Sequence, residues 1–339
     1  MQFTNIEEQM AASEVADYTR LLESIKKPEA PASVAGIELL CTGNASGVDN
    51  MINAVPTGGF RLSSGDRHIQ IDPGQGTLRM LSTLHINPYT TTDVFCTHAH
   101  DDHSGELVAM VSAALNLNLA DSRPHILVNP TLASYTDPMS MSYGFSLPSV
   151  AWQNGKVSIL YPEDMKVERF DGKMIDTVKS VDIGDGITVS PTYCQHNSPK
   201  AIGFLIDTPY GRIGYTGDSQ HFDGFAEQFI GCDVLWMNLN TLGLSSSSGN
   251  GETLRLGAVK NHLGYAGACN LIDTVKPKTA IVSHFGSQLM TRIIEIESAL
   301  RERYSAQDTE VHCTVNGRVY AFPESLANGP IVKMYGDRS

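Results

Sequence analysis

Between positions 97 and 103 the chain reads Thr-His-Ala-His-Asp-Asp-His, which places three of its 11 histidines and two carboxylates within seven residues. Side chains of these types, bunched in this way, can hold metal ions. In extended backbone, residues i and i+2 project to the same side, so His98 and His100 can bind one ion together. Where the chain then turns into a helix, the adjacent Asp102 and His103 can face a second ion close by, with Asp101 as spacer. Imidazole nitrogens joined by a carboxylate suit Zn²⁺, or Mn²⁺ or Fe in the same geometry.

Two ions need more than four ligands, so isolated His and Asp residues are expected at later strand ends. His196 follows ITVSPTYCQ, Asp218 follows RIGYTG and His284 follows KTAIVS. Any one of these alone would read as a hydrogen-bonded loop residue. Together, downstream of an H-x-H-x-D-H run, they read as the remainder of a ligand set.

The elements that must position these groups follow from periodicity. The apolar strand DVFCT runs directly into the histidine run, and GELVAMVSAALNLNL after it has the 3.6-residue apolar spacing of a helix packed on a sheet. The run therefore lies at a strand end and a helix start, where a rigid scaffold commonly holds catalytic groups. Upstream, residues 1–35 read as an appendage, a helix from about Ser13 to Lys27 followed by the Pro-rich KPEAPAS. The main domain occupies 36–339 and opens with the strand GIELLCT. GFRLSS and HIQID pair as a hairpin through Gly65-Asp66, and the turn DPGQG leads into a helical TLRMLSTLH. Residues 121–185 are less regular and read as an insertion that walls or covers the domain. Strands resume with ITVSPTYC, IGFLIDT, RIGYTG and DVLWMN. A flexible SSSSGNG then precedes the helical NHLGYAGACNLIDTV, the strand KTAIVSH, a helix to about Tyr304, and the closing pair TEVHCTV and RVYAF. Strands followed by helices in each half are compatible with a duplicated βα arrangement.

Composition narrows the functions. The chain has 339 residues, 41% of them hydrophobic, enough for one large α/β domain or two medium ones. Its longest apolar runs fall short of the roughly 18 residues of a membrane span. The N-terminal segment carries early acids and no apolar h-region, which argues against a secretory signal and for a cytoplasmic protein. Six dispersed cysteines with no C-x-x-C pair read as buried free thiols of a reducing compartment. A formal net charge of -13 argues against long RNA or DNA as a partner. A metal site creates its own local field, so small anionic substrates remain compatible with it.

The set HAHDDH, His196, the Gly-Asp of YTGDS and the His of VSHF resembles the metallo-β-lactamase superfamily, over nearly the whole span from Gly36 to Phe322. DPGQGTLRML, SPKAIGFLIDTPYGRIGYTGDS, NHLGYAGACNLI and VSHFGSQ are similar to motifs of its tRNase Z-like, cyclic-nucleotide phosphodiesterase-like branch. The resemblance implies an α/β fold, a four-layer αβ/βα sandwich with the site at one edge. It implies that His98, His100 and His196 hold one ion, that Asp102, His103 and His284 hold the other, and that Asp218 bridges them. A water or hydroxide between the ions would be the nucleophile, and Asp102 could take its proton. His262, in KNHLGYAG and 22 residues before the last ligand, would contact the phosphate and serve as general acid. Its plainer reading is a helix-start histidine with a local hydrogen bond. By analogy with the branch, a homodimer is compatible.

The sequence departs from that branch in three places. The strand DVLWMNLNTL carries Asn238 and Asn240 where the branch usually has a glutamate that orients the catalytic histidine. Between Ser104 and Val150 the sole Lys or Arg is Arg123, so no basic arm for tRNA is evident. The 121–185 segment and the N-terminal helix match nothing in the branch; Met139, Met141, Tyr143 and Phe145 could stack on a nucleobase or simply pack against the domain. The expectation is a dinuclear metal-dependent hydrolase, foremost a phosphodiesterase for a small phosphodiester or cyclic nucleotide. The alternatives are a lactone, sulfate-ester or thioester hydrolase, a tRNase Z-type endoribonuclease, or a metal-stabilised binding protein.

Overall fold

A computed structural model of the chain describes residues 33–115, 124–134, 155–169, 172–245, 255–256 and 259–336. The expected N-terminal helix, residues 246–251 of the SSSSGNG stretch and the Met139–Phe145 cluster lie outside them. Strands are β1 (Val34–Cys41), β2 (Phe60–Gly65), β3 (Arg67–Ile71), β4 (Asp93–Cys96), β5 (Ile126–Val128), β6 (Val157–Ile159), β7 (Lys166–Glu168), β8 (Met174–Asp176), β9 (Val181–Gly184) and β10 (Ile187–Tyr193). They continue with β11 (Ile202–Thr208), β12 (Gly211–Tyr215), β13 (Val234–Asn238), β14 (Leu244–Ser245), β15 (Arg255–Leu256), β16 (Thr279–Ser283), β17 (Glu310–Cys313), β18 (Arg318–Phe322) and β19 (Ile331–Met334). Helices among the described residues are α1 (Val48–Ile52), α2 (Thr77–Thr83), α3 (Asp101–Ser104), α4 (Leu107–Leu115), α5 (Pro130–Ala133), α6 (Tyr265–Val275) and α7 (Ile293–Tyr304).

The strands form one sheet in the order β19-β18-β1-β2-β3-β4-β5-β6 and a second in the order β17-β16-β13-β12-β11-β10-β9. In each sheet antiparallel hairpins give way to parallel strands, at β3–β4 in the first and β12–β13 in the second. The two halves thus share one layout, the duplicated arrangement compatible with the sequence. The expected hairpin is present, with Ser64 opposite Arg67 across Gly65-Asp66.

Period-2 side-chain alternation explains the layers. In β13, Val234 and Trp236 face the core between the sheets, while Leu235 and Met237 face the outer core beneath α6 and α7. In β4, Phe95 faces inward, while Val94 and Cys96 face α2 and α4. Strands buried on both faces are what parallel sheets require. Helix α7 buries Ile293, Ile296, Leu300 and Tyr304, a stripe at helical spacing. The result is the four-layer αβ/βα sandwich. Phe60 of β2 clamps the sheets together, stacking on Trp236 at 4.2 Å between centroids and meeting Tyr215 edge-on at 5.3 Å. Phe60→Ala is expected to cost about 3–5 kcal/mol of stability through the cavity it leaves, read as a lowered urea midpoint with an unchanged m-value.

The segment read as an insertion is described in part. β5 and β6 extend the first sheet in parallel, β9 edges the second, and only the β7–β8 hairpin stands outside both. Strands of three or four residues carry too little periodicity to be told from loop. All six cysteines are free thiols, five buried and Cys194 partly so. Among the described residues no helix is long and apolar enough to cross a membrane.

Candidate metal centre

Every predicted ligand comes from a loop at the end of a strand or from the short helix beside it. His98 and His100 follow β4, and Asp102 and His103 occupy α3. His196 follows β10, Asp218 follows β12 and His284 follows β16. β4, β12 and β16 each take part in parallel pairing, and their carboxyl ends gather at one edge of the sandwich. Gly217, at φ +54°, turns the chain so that Asp218 enters that edge. His284 itself has φ +62°, a left-handed conformation uncommon outside glycine and held here by its surroundings.

The seven side chains converge. His196 Nε2 lies 3.0 Å from His100 Nδ1 and 3.9 Å from Asp218 Oδ2. His103 Nε2 lies 3.3 Å from His284 Nε2 and 3.4 Å from Asp218 Oδ2. His284 Nε2 is 3.1 Å from Asp218 Oδ2 and 3.7 Å from Asp102 Oδ2. Three groupings matter most, His98 with His100 and His196, His98 with His103 and Asp218, and Asp102 with His103 and His284. Within each, the donor atoms lie within 4.8 Å of one another.

Surrounding acceptors fix which ring nitrogens face inward. A carboxylate and a carbonyl only accept, so His103 Nδ1–H donates to Asp72 Oδ2 at 2.9 Å and His196 Nδ1–H donates to the Asn261 carbonyl at 2.6 Å. Thr97 Oγ1 donates to Asp72 Oδ2 at 2.7 Å and is left to accept from His98 Nδ1–H at 3.0 Å. The Nε2 lone pairs of His98, His103 and His196 are thereby turned towards the carboxylates and towards one another. His98 Nε2 is fully buried and has no hydrogen-bond partner among the described residues. Lone pairs meeting lone pairs in a closed interior are stable only with a proton or a cation between them, so the donor set fits divalent metal.

Titration directions agree with that excess of acceptors. Burial pushes the His98 imidazole well below its ordinary range, helped by His103, His196 and His100. Burial also lowers His196 to about 4, against the pull of Asp218. For His103, burial opposes the charged form, but Asp218, Asp102 and Asp72 overcome it and raise the group well above its usual value. Burial works likewise against the Asp218 carboxylate, which His284 and His103 nonetheless hold well below the usual range. The carboxylates thus favour positive charge at His103, as they would favour a cation there.

Asp72 was not singled out from sequence as a functional residue. It is fully buried and accepts from Thr97 N at 2.7 Å, Thr97 Oγ1, His103 Nδ1 and Tyr215 OH at 2.7 Å. Its turn packs directly on the ligand helix, since a Cβ on Gly74 would lie 2.1 Å from the Asp102 carbonyl oxygen. An aspartate closing the apolar strand HIQI was the available signal, the same one that identifies Asp218.

His262 lies in the loop before α6, which starts at Tyr265 rather than at Asn261. Its Nδ1 is 3.4 Å from Asp218 Oδ2 and its side chain is 28% exposed. Asn238 is not aligned with it as an orienting group. It donates instead to Asp218 Oδ1 at 2.9 Å and to Tyr215 OH at 3.2 Å, and Asn240 donates to Ser46 Oγ. A cavity of about 220 Å³ opens over the centre, walled by His100, Asp102, Asp218 and His262, with Val48 and Met51 of α1 as its apolar side.

The chain belongs to the β-lactamase superfamily, residues 67–285 matching the family model described as beta-lactamase superfamily domain. It is 27% identical over 263 residues to the uncharacterized protein MJ1374 of Methanocaldococcus jannaschii, covering 75% of this chain and 82% of that one. Its structure is similar to the metallo-beta-lactamase fold protein YhfI from Bacillus subtilis, with TM-score 0.57, 14% identity, and coverage of 85% of this chain and 100% of that one. It is also similar to the short form of human tRNase Z, with TM-score 0.52, 15% identity, and coverage of 84% and 99%. At these identities the structural likeness is one of fold.

Proposed function

We propose that this hydrolase is a dinuclear metal-dependent phosphodiesterase acting on a small phosphodiester or cyclic nucleotide. His98, His100 and His196 would hold one ion, Asp102, His103 and His284 the other, with Asp218 between them. The histidine-rich donor set favours zinc. Bound there, two divalent ions would supply charge for the phosphoryl oxygens and lower the pKa of an attacking water.

The chain's own groups do the rest. Asp102 is positioned by the Gly47 N–H, which donates to its Oδ2 at 2.8 Å, and it stands in the cavity wall to accept the proton of the attacking water. His262, in the same wall, hands a proton to the leaving oxygen. The partly exposed His262 beside Asp218 is the observation that carries the reading, because a phosphodiester with an alkoxide leaving group needs an acid at that point. The cavity is small beside the roughly 300–1,000 Å³ of ordinary ligand sites, and the chain is acidic. Both favour a compact ester over tRNA or DNA.

His262→Ala should lower turnover of 2′,3′- or 3′,5′-cyclic nucleotides by about 10²–10⁴-fold while both metals stay bound. Bis-p-nitrophenyl phosphate, with its better leaving group, should lose less. Full cyclic-nucleotide turnover by a metal-replete His262→Ala chain would remove the acid from the mechanism. Wild-type turnover confined to a lactone panel would overturn the phosphodiesterase reading.

A further inference from the structure

On the outer face of the first sheet, away from the metal centre, lies a cavity of about 370 Å³ walled by Arg61, Ser63 and His68 together with Glu38, Leu40 and Tyr335. The strand register explains why these residues meet. Ser63 pairs with His68 across the β2–β3 hairpin, and Leu40 and Glu38 of β1 pair with Arg61 and Ser63. Alternation then turns Arg61 and Ser63 to one face of β2.

Arg61 is an unusual tenant of that face. It is only 3% exposed, and its guanidinium donates to two neutral acceptors, Thr91 Oγ1 at 2.8 Å and Thr90 Oγ1 at 2.9 Å. Among the described residues no carboxylate pairs with it. Glu38, in the same wall, pairs with Lys333 at 3.2 Å. His68 is 4% exposed. Its Nδ1 meets Ser63 Oγ at 2.9 Å, and its buried Nε2 has no partner among the described residues. A buried charge without a counter-ion and a buried imidazole nitrogen without a hydrogen bond are both costly in a closed interior, and here they share one cavity. The desolvated guanidinium is accordingly lowered to about 10 by burial.

We propose that this cavity is a second binding site, one that takes the oxyanion group of a small molecule, with Arg61 and His68 as its donors. The planar guanidinium fork matches a phosphate or carboxylate, and the two threonine hydroxyls hold the fork in place. If Ser63 donates to Nδ1, His68 presents Nε2–H to the same oxyanion. Leu40 and Tyr335 would accommodate the less polar remainder of the ligand.

The test is calorimetric titration of the metal-loaded full chain with inorganic phosphate and, separately, with succinate. Asp218→Asn is titrated in parallel, because it depletes the metal centre and so weakens anion binding there. Wild type and Asp218→Asn should both bind at the Arg61 site, and the stronger of the two anions identifies phosphate or carboxylate as the group recognised. Arg61→Met should weaken that event by on the order of tenfold to a hundredfold, leaving phosphodiester turnover intact. His68→Leu should weaken it as well, and decides the matter if Arg61→Met does not fold. Absence of binding by Asp218→Asn with either anion overturns the proposal, as does unchanged binding by folded Arg61→Met or His68→Leu.

Discussion

Asp218→Asn is expected to abolish turnover, by on the order of 10³-fold or more, the upper range for loss of a single electrostatic stabiliser. It should also leave the chain with less than its full complement of metal. Asp218 Oδ2 is the point on which the centre converges, within 3.1 Å of His284, 3.4 Å of His103 and 3.9 Å of His196. An amide has nearly the same shape, and its one carbonyl oxygen can still accept from Asn238, so the fold should survive. What it lacks is the second anionic oxygen that the two proposed cations would share. Elemental analysis of the purified variant, beside a phosphodiester assay, reads both effects. Retention of two metal equivalents with wild-type turnover would refute the bridging role.

Asp72→Asn should act on stability and on the centre together. Asp72 accepts four donors in a closed interior, among them the Nδ1–H that fixes the His103 ring. An amide supplies one acceptor oxygen and brings an N–H group against donors that already have nowhere else to turn. Breaking such a buried charge-assisted network costs about 3–5 kcal/mol, and, with His103 as the proposed ligand, loss of the partner that orients it costs about 10–100-fold in metal affinity. Urea denaturation of the metal-free chain measures the first effect, and competition with a chelating dye measures the second. A variant with wild-type stability and wild-type metal affinity would show that Asp72 does not support the centre.

The clustering of the candidate side chains was largely legible in the sequence because it depends on one simple rule, that donors stand where apolar strands end. His196, Asp218 and His284 each follow such a strand, and the structure brings all of them to His98, His100, Asp102 and His103. Asp72 obeys the same rule and was missed because Asp-Pro-Gly reads first as turn chemistry. The sheets were less legible at their margins. β5 and β6 have three residues each, and their parallel pairing is set by distant strands rather than by their own periodicity. Arg61 and His68 gave no signal either. Each lies in an ordinary-looking strand, and only the register of β1, β2 and β3 puts them in one cavity. Asn238 was correctly located near the centre, but its partner, Asp218 rather than His262, depends on side-chain direction.

A dinuclear phosphodiesterase should need both metals for turnover. The most direct measurement is turnover of bis-p-nitrophenyl phosphate by chelator-stripped full-length protein as zinc is returned in measured equivalents. Turnover should be absent without metal and rise to saturate at two equivalents per chain. Undiminished turnover by the stripped protein, or two tightly bound equivalents with no phosphodiester turnover, would contradict the dinuclear phosphodiesterase reading.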